Sequence, residues 1–410
     1  MQRPPSAECL PAEGSTSPHA SGMPSPDSAL FEDGAPLGLQ RRLGLVTGSD
    51  LRVGRRAALV VLIGWVPLVL LAIMQSAIMR TDGIGSLLWG MEAHARYLLA
   101  APLLVLAETQ CAVRLSVIIR HFVDTGVVPA HERERFDAAI AATRRLLGAT
   151  SVEIAVVVFA YLITAAIVWS TPVDQVPAWH RTAGIVPAYS PAGWWHVVVS
   201  LPLLIILFLG WIWRLVSWTR LLWLISRLRL RLVASHPDHA AGLGFVGHSV
   251  RAFAIVALAP MAIAAGKSAL IVLTAGNLPT PQLLFNIGML VFVAALITAP
   301  LLVFTPTLIQ VWRRAAFEYG ALADRMGAAF EDKWLRRDQP DNPNVLEQPD
   351  FSATTDLYAV VANIYAMRFI PIDLRSLVIL VAVMLLPFVP VLLLAVPIDQ
   401  ILSGLKGLLL

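Results

Sequence analysis

AALVVLIGWVPLVLLAIMQSAI, residues 57–78, contains no charged side chain. At a rise of about 1.5 Å per residue, a helix of this length crosses the ~30 Å hydrocarbon core of a bilayer. Six further runs along the chain are interpreted as spans, although in the run 88–108 the purely apolar part, 97–107, is too short to cross alone and is flanked by charged residues. These runs predict spans over 88–108, 152–169, 194–213, 252–275, 283–310 and 378–397. We therefore expect an all-α fold, a polytopic transmembrane helix bundle of about seven spans.

The composition of the chain suits lipid better than an ordinary soluble core. Of its 410 residues, 57% are hydrophobic and only 14% are charged, so the polar residues are too few to cover a water-exposed fold. The net charge of +4 would indicate an anionic partner in a soluble protein. Here the basic residues flank the apolar runs, which indicates the lipid bilayer as partner and no nucleic acid. The two cysteines, Cys9 and Cys111, give no reason to expect a disulfide.

The first 50 residues differ from the rest of the chain. They are crowded with Pro, Ser, Gly and Ala and lack apolar periodicity, which predicts a disordered N-terminal tail over 1–50 and a transmembrane domain over 51–410. The start also lacks the pattern of a cleavable secretory signal. We therefore expect the first span to direct insertion.

Two polar stretches predict amphipathic helices in the cytoplasm. At 131–147 the sequence HERERFDAAIAATRRLL repeats Phe136, Ile140 and Leu147 at helical spacing. The segment 311–374 predicts a helix that leaves the sixth span and, after a loop, a second short helix, together a helical hairpin. Candidate N-caps of the second helix are Ser352, Thr354 and Thr355.

A basic stretch, WTRLLWLISRLRLRLV at 218–233, follows the fourth span. The alternation of Leu and Arg fits a strand. The spacing of the basic residues fits a helix better, because Arg220, Arg227 and Arg231 then share one face. We expect this helix to lie on the inner lipid surface and to contact anionic lipid headgroups.

The distribution of basic residues predicts the orientation. With these spans, the 31 Lys and Arg residues fall on the side of the N-terminus, apart from a few exceptions. The exceptions are Arg80, Arg96, Arg181, Lys267 and Lys406. Since basic loops stay in the cytoplasm, we expect the N-terminus inside and the C-terminus outside.

Charged residues inside spans are the first candidate site. An ionised group in lipid is costly and usually faces a partner or a cavity. Glu92 and Arg96 stand one turn apart and can pair, and Lys267 reaches a similar depth when counted from the outer ends. With His94, this cluster could line a polar cavity that handles a proton or small ion. The alternative is a set of interhelical struts and snorkelling side chains.

A second group of carboxylates lies near the inner ends of the spans. Glu108 and Glu153 reach comparable depth. Arg114, Arg144 and Arg145 are close enough in sequence to neutralise them.

The loop SHPDHAAGLGFVGHSV, 235–250, is the most concentrated polar segment between two apolar blocks. His236, Asp238, His239 and His248 are ligand types that suit a divalent metal such as zinc, although no cofactor is required by the sequence. The alternative is a capped turn that enters a helix. The glycines of this loop match G-x-G-x-x-G only as letters, since no βαβ unit surrounds them, and they favour a bend or close packing. They are Gly242, Gly244 and Gly247.

Three stretches carry a resemblance to a known family. They are HPDHAAGLGFVG at 236–247, FEYGALADRMGAAFEDKW at 317–334 and DFSATTDLYAVVANIYAMRFIPIDLRSL at 350–377. Together with their placement between spans, they resemble an uncharacterised family of bacterial multi-pass inner-membrane proteins. The resemblance implies the architecture and a bacterial inner-membrane location, and it brings no activity or catalytic residue.

The residues inside spans favour transport, or ion or proton conduction, as the function. Two alternatives are a membrane scaffold or sensor that acts through the cytoplasmic helices, and a metal-dependent membrane enzyme that uses the His236, His239 and His248 cluster. No catalytic constellation is recognisable in the sequence. A homo-oligomer or a cytoplasmic protein partner would suit the scaffold.

Overall fold

The computed structural model describes residues 53–79, 83–182, 188–335 and 350–395. Within these ranges seven helices are long and apolar enough to cross a membrane, as predicted. We call them spans 1 to 7: Val53–Ile78, Met91–Asp124, Thr150–Ser170, Pro191–Ser226, Gly244–Ala275, Thr280–Trp334 and Leu374–Ala395. The described residues form no strand beyond a single antiparallel bridge between Arg181 and Tyr189. The predicted tail over 1–50 lies outside the described residues.

Successive spans run in opposite directions, so the bundle has two ends. The end with the connections 83–90, 171–190 and 276–279 is called the His180 end. The other end, called the hairpin end, holds the connections 125–149 and 227–243. A short helix, α1 (Gly83–Leu88), lies at the His180 end.

Three helices at the hairpin end were predicted from periodicity. Helix α2 (Arg133–Leu147) buries Phe136 and Leu147, which confirms the amphipathic prediction for 131–147. The helix of span 6 continues to Trp334 and packs against α3 (Asp350–Tyr365). The Phe351 ring lies 4.8 Å from that of Phe330 and 5.2 Å from that of Trp334, centroid to centroid. The helical hairpin is therefore present.

The start of α3 differs from the prediction. The helix begins at Asp350, so Ser352, Thr354 and Thr355 lie within its first turns and are not N-caps. The Thr355 hydroxyl instead donates to the Phe351 carbonyl 2.8 Å away, a bond within the helix.

The prediction of one helix over 218–233 was wrong in its second half. Span 4 ends at Ser226, and the chain then runs extended. The backbone N–H of Arg231 donates to Val127 O at 2.8 Å, and that of Val233 donates to Ala241 O at 3.2 Å. These tertiary hydrogen bonds stabilise the extended conformation over the helix. In an extended segment the Leu/Arg alternation turns every second residue, the leucines, to the core. The core-facing leucines are Leu228, Leu230 and Leu232.

Spans 2 and 4 share an irregular turn. Each contains a π-helical segment, Ala95–Ala100 in span 2 and His196–Ser200 in span 4. Pro102 and Pro202 follow directly. A proline ring clashes with the carbonyl of residue i−4, and the wider π turn makes room for it.

Neighbouring spans supply donors to carbonyls that prolines leave unpaired. Pro67 has no N–H to donate to the Ile63 carbonyl, and the Trp195 indole donates to it instead at 3.1 Å. In the same way the Tyr161 hydroxyl donates to the Val198 carbonyl, four residues before Pro202, at 3.2 Å. A backbone carbonyl in lipid needs such a partner, so these bonds fix how the spans pack.

The segment 366–373, between α3 and span 7, lies against the loop 235–250. The N–H of Arg368 donates to the His239 carbonyl at 2.6 Å, and the Arg251 guanidinium pairs with Asp373 at 2.6 Å. A Cβ atom on Gly247 would come within 2.5 Å of the Pro371 carbonyl oxygen. Close packing therefore requires a glycine here, in agreement with the prediction that the glycines of this loop allow a bend or close packing.

Candidate functional site

A cavity of about 670 Å³ opens at the His180 end, between spans 2, 3, 4 and 5 and the loop 171–190. Its ionisable lining residues include Glu92, Arg96 and Lys267, which the sequence singled out. It is also lined by His180 and His196, which the sequence analysis did not single out. The structure therefore brings three predicted residues together and adds two histidines.

Glu92 and Arg96 form an ion pair across one helical turn of span 2. Their side chains keep 29% and 26% of their exposure, so both face the cavity and not the apolar core. The pair is local, which is why the i, i+4 spacing predicts it. It leaves this part of the wall with no net charge.

Lys267 reaches the cavity because span 5 packs very closely on span 2. A Cβ atom on Gly266 would lie 2.5 Å from Ala95 Cβ and 2.9 Å from Met91 O. Only glycine allows this approach. The ammonium of Lys267 lies 6.0 Å from the Phe285 ring centroid, a cation–π distance. No described carboxylate forms a salt bridge with it.

His180 and His196 form a buried pair in the cavity wall. Their ring centroids are 4.5 Å apart with an angle of 36° between the planes, and their exposed fractions are 7% and 4%. Within the described part of the chain, none of the four ring nitrogens has a hydrogen-bond partner. Buried polar groups are nearly always paired, so these four nitrogens lack the partners that buried ring nitrogens normally have.

The loop that carries His180 is held by backbone and hydroxyl contacts. The Ser190 hydroxyl donates to the Trp179 carbonyl at 2.7 Å and accepts from the Gly193 N–H at 3.0 Å. The Ser190 N–H donates to the His180 carbonyl at 2.8 Å. Because a Cβ on Gly193 would lie 2.3 Å from that carbonyl oxygen, the loop sits directly on the start of span 4.

The imidazole of His180 is neutral. Burial, and to a smaller extent the positive charge of Arg96, lowers its pKa from 6.5 to about 3. The Trp179 ring packs edge-on against it, with 3.7 Å between centroids. A neutral imidazole offers one N–H donor and one acceptor nitrogen.

His94 lies outside this cavity lining, unlike the predicted arrangement. Its Nδ1 accepts from the Trp65 indole at 3.0 Å, and its Nε2 lies 3.1 Å from the Leu88 carbonyl oxygen. Both nitrogens are therefore engaged, one with span 1 and the other with α1, and His94 connects helices instead of lining the cavity. The histidines that line the cavity are His180 and His196, and not His94 as predicted.

Glu108 is the centre of a second, fully buried cluster. Its carboxylate pairs with Arg56 at 2.6 Å and with Arg214 at 3.0 Å, and the three side chains are 1–3% exposed. The predicted partner Arg114 instead donates to the Arg251 carbonyl at 3.0 Å. The true partners come from spans 1 and 4, so closeness in sequence could not identify them. Glu153 lies in the first turn of span 3.

The loop 235–250 borders another cavity of about 670 Å³ at the hairpin end. His236, Asp238 and His248 line it, with His121 and Arg231, whereas His239 does not. No group of three or more metal-ligand side chains assembles among the residues that the structure describes. Three of the four predicted metal ligands line the same cavity, but the described residues do not bring them together as a metal site.

Asp238 organises this loop. Its carboxylate accepts from the backbone N–H groups of Ala240, Gly242 and Gly244 at 2.8, 3.1 and 2.8 Å, and it lies 2.9 Å from His236 Nδ1. Burial alone would raise the pKa of Asp238, but these hydrogen bonds outweigh it and hold the pKa below its usual range. A carboxylate with these partners acts as a turn-forming group.

The three basic residues predicted to contact lipid do not share one helical face. Arg220 lies on span 4, Arg227 follows its last residue, and Arg231 lies on the extended segment. The Arg227 guanidinium lies 4.8 Å from the Trp223 ring centroid. All three nevertheless lie toward the hairpin end of the bundle.

The fold and the two cavities define a class: a multi-pass α-helical membrane protein with a charged cavity between its spans. No protein-family model, no curated protein and no solved structure matches the chain. The resemblance to an uncharacterised bacterial family stays a prediction.

Proposed function

We propose that the protein moves a small ion or a proton across the membrane, and that the cavity at the His180 end is its binding site. The observation that carries this proposal is that Glu92, Arg96 and Lys267 line one cavity of about 670 Å³. An apolar bundle without such a cavity would favour a scaffold. Charges within spans are costly, and a water-accessible cavity is the usual reason for them.

The helices around the cavity support the same function. Irregular backbone at membrane depth is tolerated where it lines a cavity, and π turns are frequent at functional sites. Arg96 and His196 both stand in π segments. Further along span 2 toward the hairpin end, Tyr97 and Leu104 are fully buried.

We further propose that the N-terminus is cytoplasmic and that the cavity opens to the outside of a bacterial inner membrane. Between the spans, Arg181 is the sole Lys or Arg among described residues at the His180 end. The hairpin end carries many, which fits the positive-inside rule. The bacterial location rests on the family resemblance.

Anionic lipid is the proposed partner at the hairpin end. Arg227, stacked on Trp223, has the combination of aromatic ring and cation that favours the headgroup layer. Native mass spectrometry of the Arg220→Gln, Arg227→Gln and Arg231→Gln variants checks this proposal. Retention of as much phosphatidylglycerol as the wild type would contradict it.

The transport proposal is tested in reconstituted vesicles. Charge movement on a supported membrane and an enclosed pH dye report ion and proton flux for a panel of ions and small acids. We expect Lys267→Met and Glu92→Gln to reduce the flux at least about tenfold, because each removes a charge from the binding site.

Matched controls lie far from the cavity. Lys333→Met repeats the lysine change on the hairpin, and Glu318→Gln repeats the glutamate change in an exposed i, i+4 pair with Arg314. Both should keep wild-type flux. Flux that is unchanged in the two cavity variants, or absent from the wild type for every ion and acid tested, would overturn the proposal.

A further inference from the structure

The cavity at the His180 end has an excess of positive charge. Arg96 is neutralised by Glu92, and the imidazole of His180 is neutral. Lys267 lines the same cavity without a described carboxylate at salt-bridge distance. The other basic group nearby, Arg181, points its guanidinium to the Asp174 carbonyl. An anion would therefore be attracted and a cation repelled.

The same cavity offers hydrogen bonds that nothing described uses. The four ring nitrogens of His180 and His196 are buried and have no partner among the described residues. Neutral imidazoles would supply two N–H donors to an oxygen acceptor. Together with the ammonium of Lys267, which lines the same cavity, these donors are of the kind that a carboxylate binds.

The remaining walls are mainly apolar. A volume of about 670 Å³ is within the range of sites for organic molecules, roughly 300–1,000 Å³. A bare halide would leave the apolar walls in contact with water. A carboxylate with an apolar body would cover them. The apolar lining includes Trp89, Ile167, Val176, Pro177, Trp179 and Leu201.

We infer that this cavity binds a small organic carboxylate, with Lys267 as its counter-charge and His180 and His196 as hydrogen-bond donors. The inference rests on the proposed transport function and specifies its substrate class. A protein that moves only protons would not need to bind an anion beside Lys267, so the two possibilities can be told apart.

Three ligands of one shape test the charge preference. Benzoate, benzamide and benzylammonium share a ring and differ in charge. Isothermal titration calorimetry on the full chain in detergent should give measurable binding of benzoate, at least about tenfold weaker binding of benzamide, and no binding of benzylammonium. Acetate and octanoate extend the series to smaller and longer carboxylates.

Variants assign the roles. Lys267→Met should weaken benzoate binding by about 10- to 100-fold, the usual range for a hydrogen bond to a charged group, and Lys267→Arg should restore most of it. Lys333→Met is the matched control and should bind as the wild type does. His196→Phe should weaken benzoate binding by about 2- to 10-fold and should leave the charge preference intact.

The inference fails if the three ring compounds bind equally, if benzylammonium binds best, if none of the three carboxylates binds, or if Lys267→Met keeps wild-type affinity. Binding and flux are measured separately. A protein that conducts but binds no carboxylate overturns this inference and leaves transport standing. A protein that binds benzoate without any flux overturns transport and leaves the site standing.

Discussion

The rings of His180 and His196 lie 4.5 Å apart, one on the loop 171–190 and the other in the π turn of span 4. This ring contact contains no hydrogen bond between described groups and adds to the hydrogen bonds that hold the loop through Ser190. Its stability therefore depends on burial of two uncharged rings. Acid should weaken this contact, because protonation of either ring would place a charge in the buried pair.

Acidification should loosen the loop. The pKa of His180 is lowered to about 3 in the docked loop, and its ordinary value of about 6.5 returns in the released loop. Between these values only the released loop takes up the proton, so docking is unaffected above pH 6.5. Below it, docking weakens by about 1.4 kcal/mol per pH unit, or about 2 kcal/mol at pH 5.

Hydrogen exchange of residues 171–182, corrected for intrinsic rates, measures this effect. The charged groups that face the pair are Glu92 and Arg96 on span 2 and Lys267 on span 5. The His180→Gln variant should flatten most of the pH dependence, and an equally steep dependence there would contradict the assignment.

Removing the charge of Glu108 should destabilise the bundle. Glu108→Gln removes the carboxylate charge that pairs with two buried guanidinium groups, those of Arg56 and Arg214. The expected loss is about 3–5 kcal/mol. The thermal midpoint in detergent should fall accordingly, whereas the surface change Glu318→Gln should shift stability by less than about 1 kcal/mol. Equal midpoints for the two variants would sink this account of the cluster.

A methyl group on Gly266 should separate spans 2 and 5. Gly266→Ala places a Cβ 2.5 Å from that of Ala95, and overpacking of this kind costs about 1–3 kcal/mol. The variant should also lose flux, because Lys267 shifts away from Glu92. In the control Gly288→Ala the new Cβ meets nothing within 4 Å, so stability should be kept or slightly raised. The idea fails if both substitutions behave alike.

The bond from Trp195 to the Ile63 carbonyl can be measured by a double-mutant cycle. Trp195→Phe should cost about 1–2 kcal/mol, because the carbonyl next to Pro67 loses its donor. Pro67→Ala returns a backbone N–H to that carbonyl, so the same Trp195→Phe change should cost much less in its background. Trp169→Phe, at a 93% exposed site, is the control. Additive costs would contradict the coupling.

The orientation can be read from cysteine labelling in a Cys9→Ser background, since Cys111 is buried. Asp174→Cys, at the His180 end, should react with an impermeant maleimide in spheroplasts. Asp137→Cys, on α2, should react only after the membrane is opened. The reverse pattern would invert the proposed topology.

The spans were predictable because lipid allows few solutions for the backbone. Uninterrupted apolar length is enough to identify them. The Glu92–Arg96 pair was predictable because its spacing is local, and the depth of Lys267 followed from the rise of a helix. These inferences need no knowledge of which spans are neighbours.

The rest depended on tertiary neighbours. The partners of Glu108 come from spans 1 and 4, and the extended run after Ser226 exists because Val127 and Ala241 bond to it. His196 stood within an apolar run as an ionisable residue, a signal that could have marked it. His180 carried no such signal, since a histidine in a loop is ordinary.

The contacts of the segment 366–373 also bear on the order of assembly. Arg368 and Asp373 bond to His239 and Arg251, more than 120 positions earlier in the chain. Spans 1 to 6 are synthesised before span 7. Until span 7 emerges from the ribosome, the surface against which it packs is therefore covered by lipid. Truncation within the final helix would then yield an inserted but incompletely assembled protein, a substrate for membrane quality-control proteases.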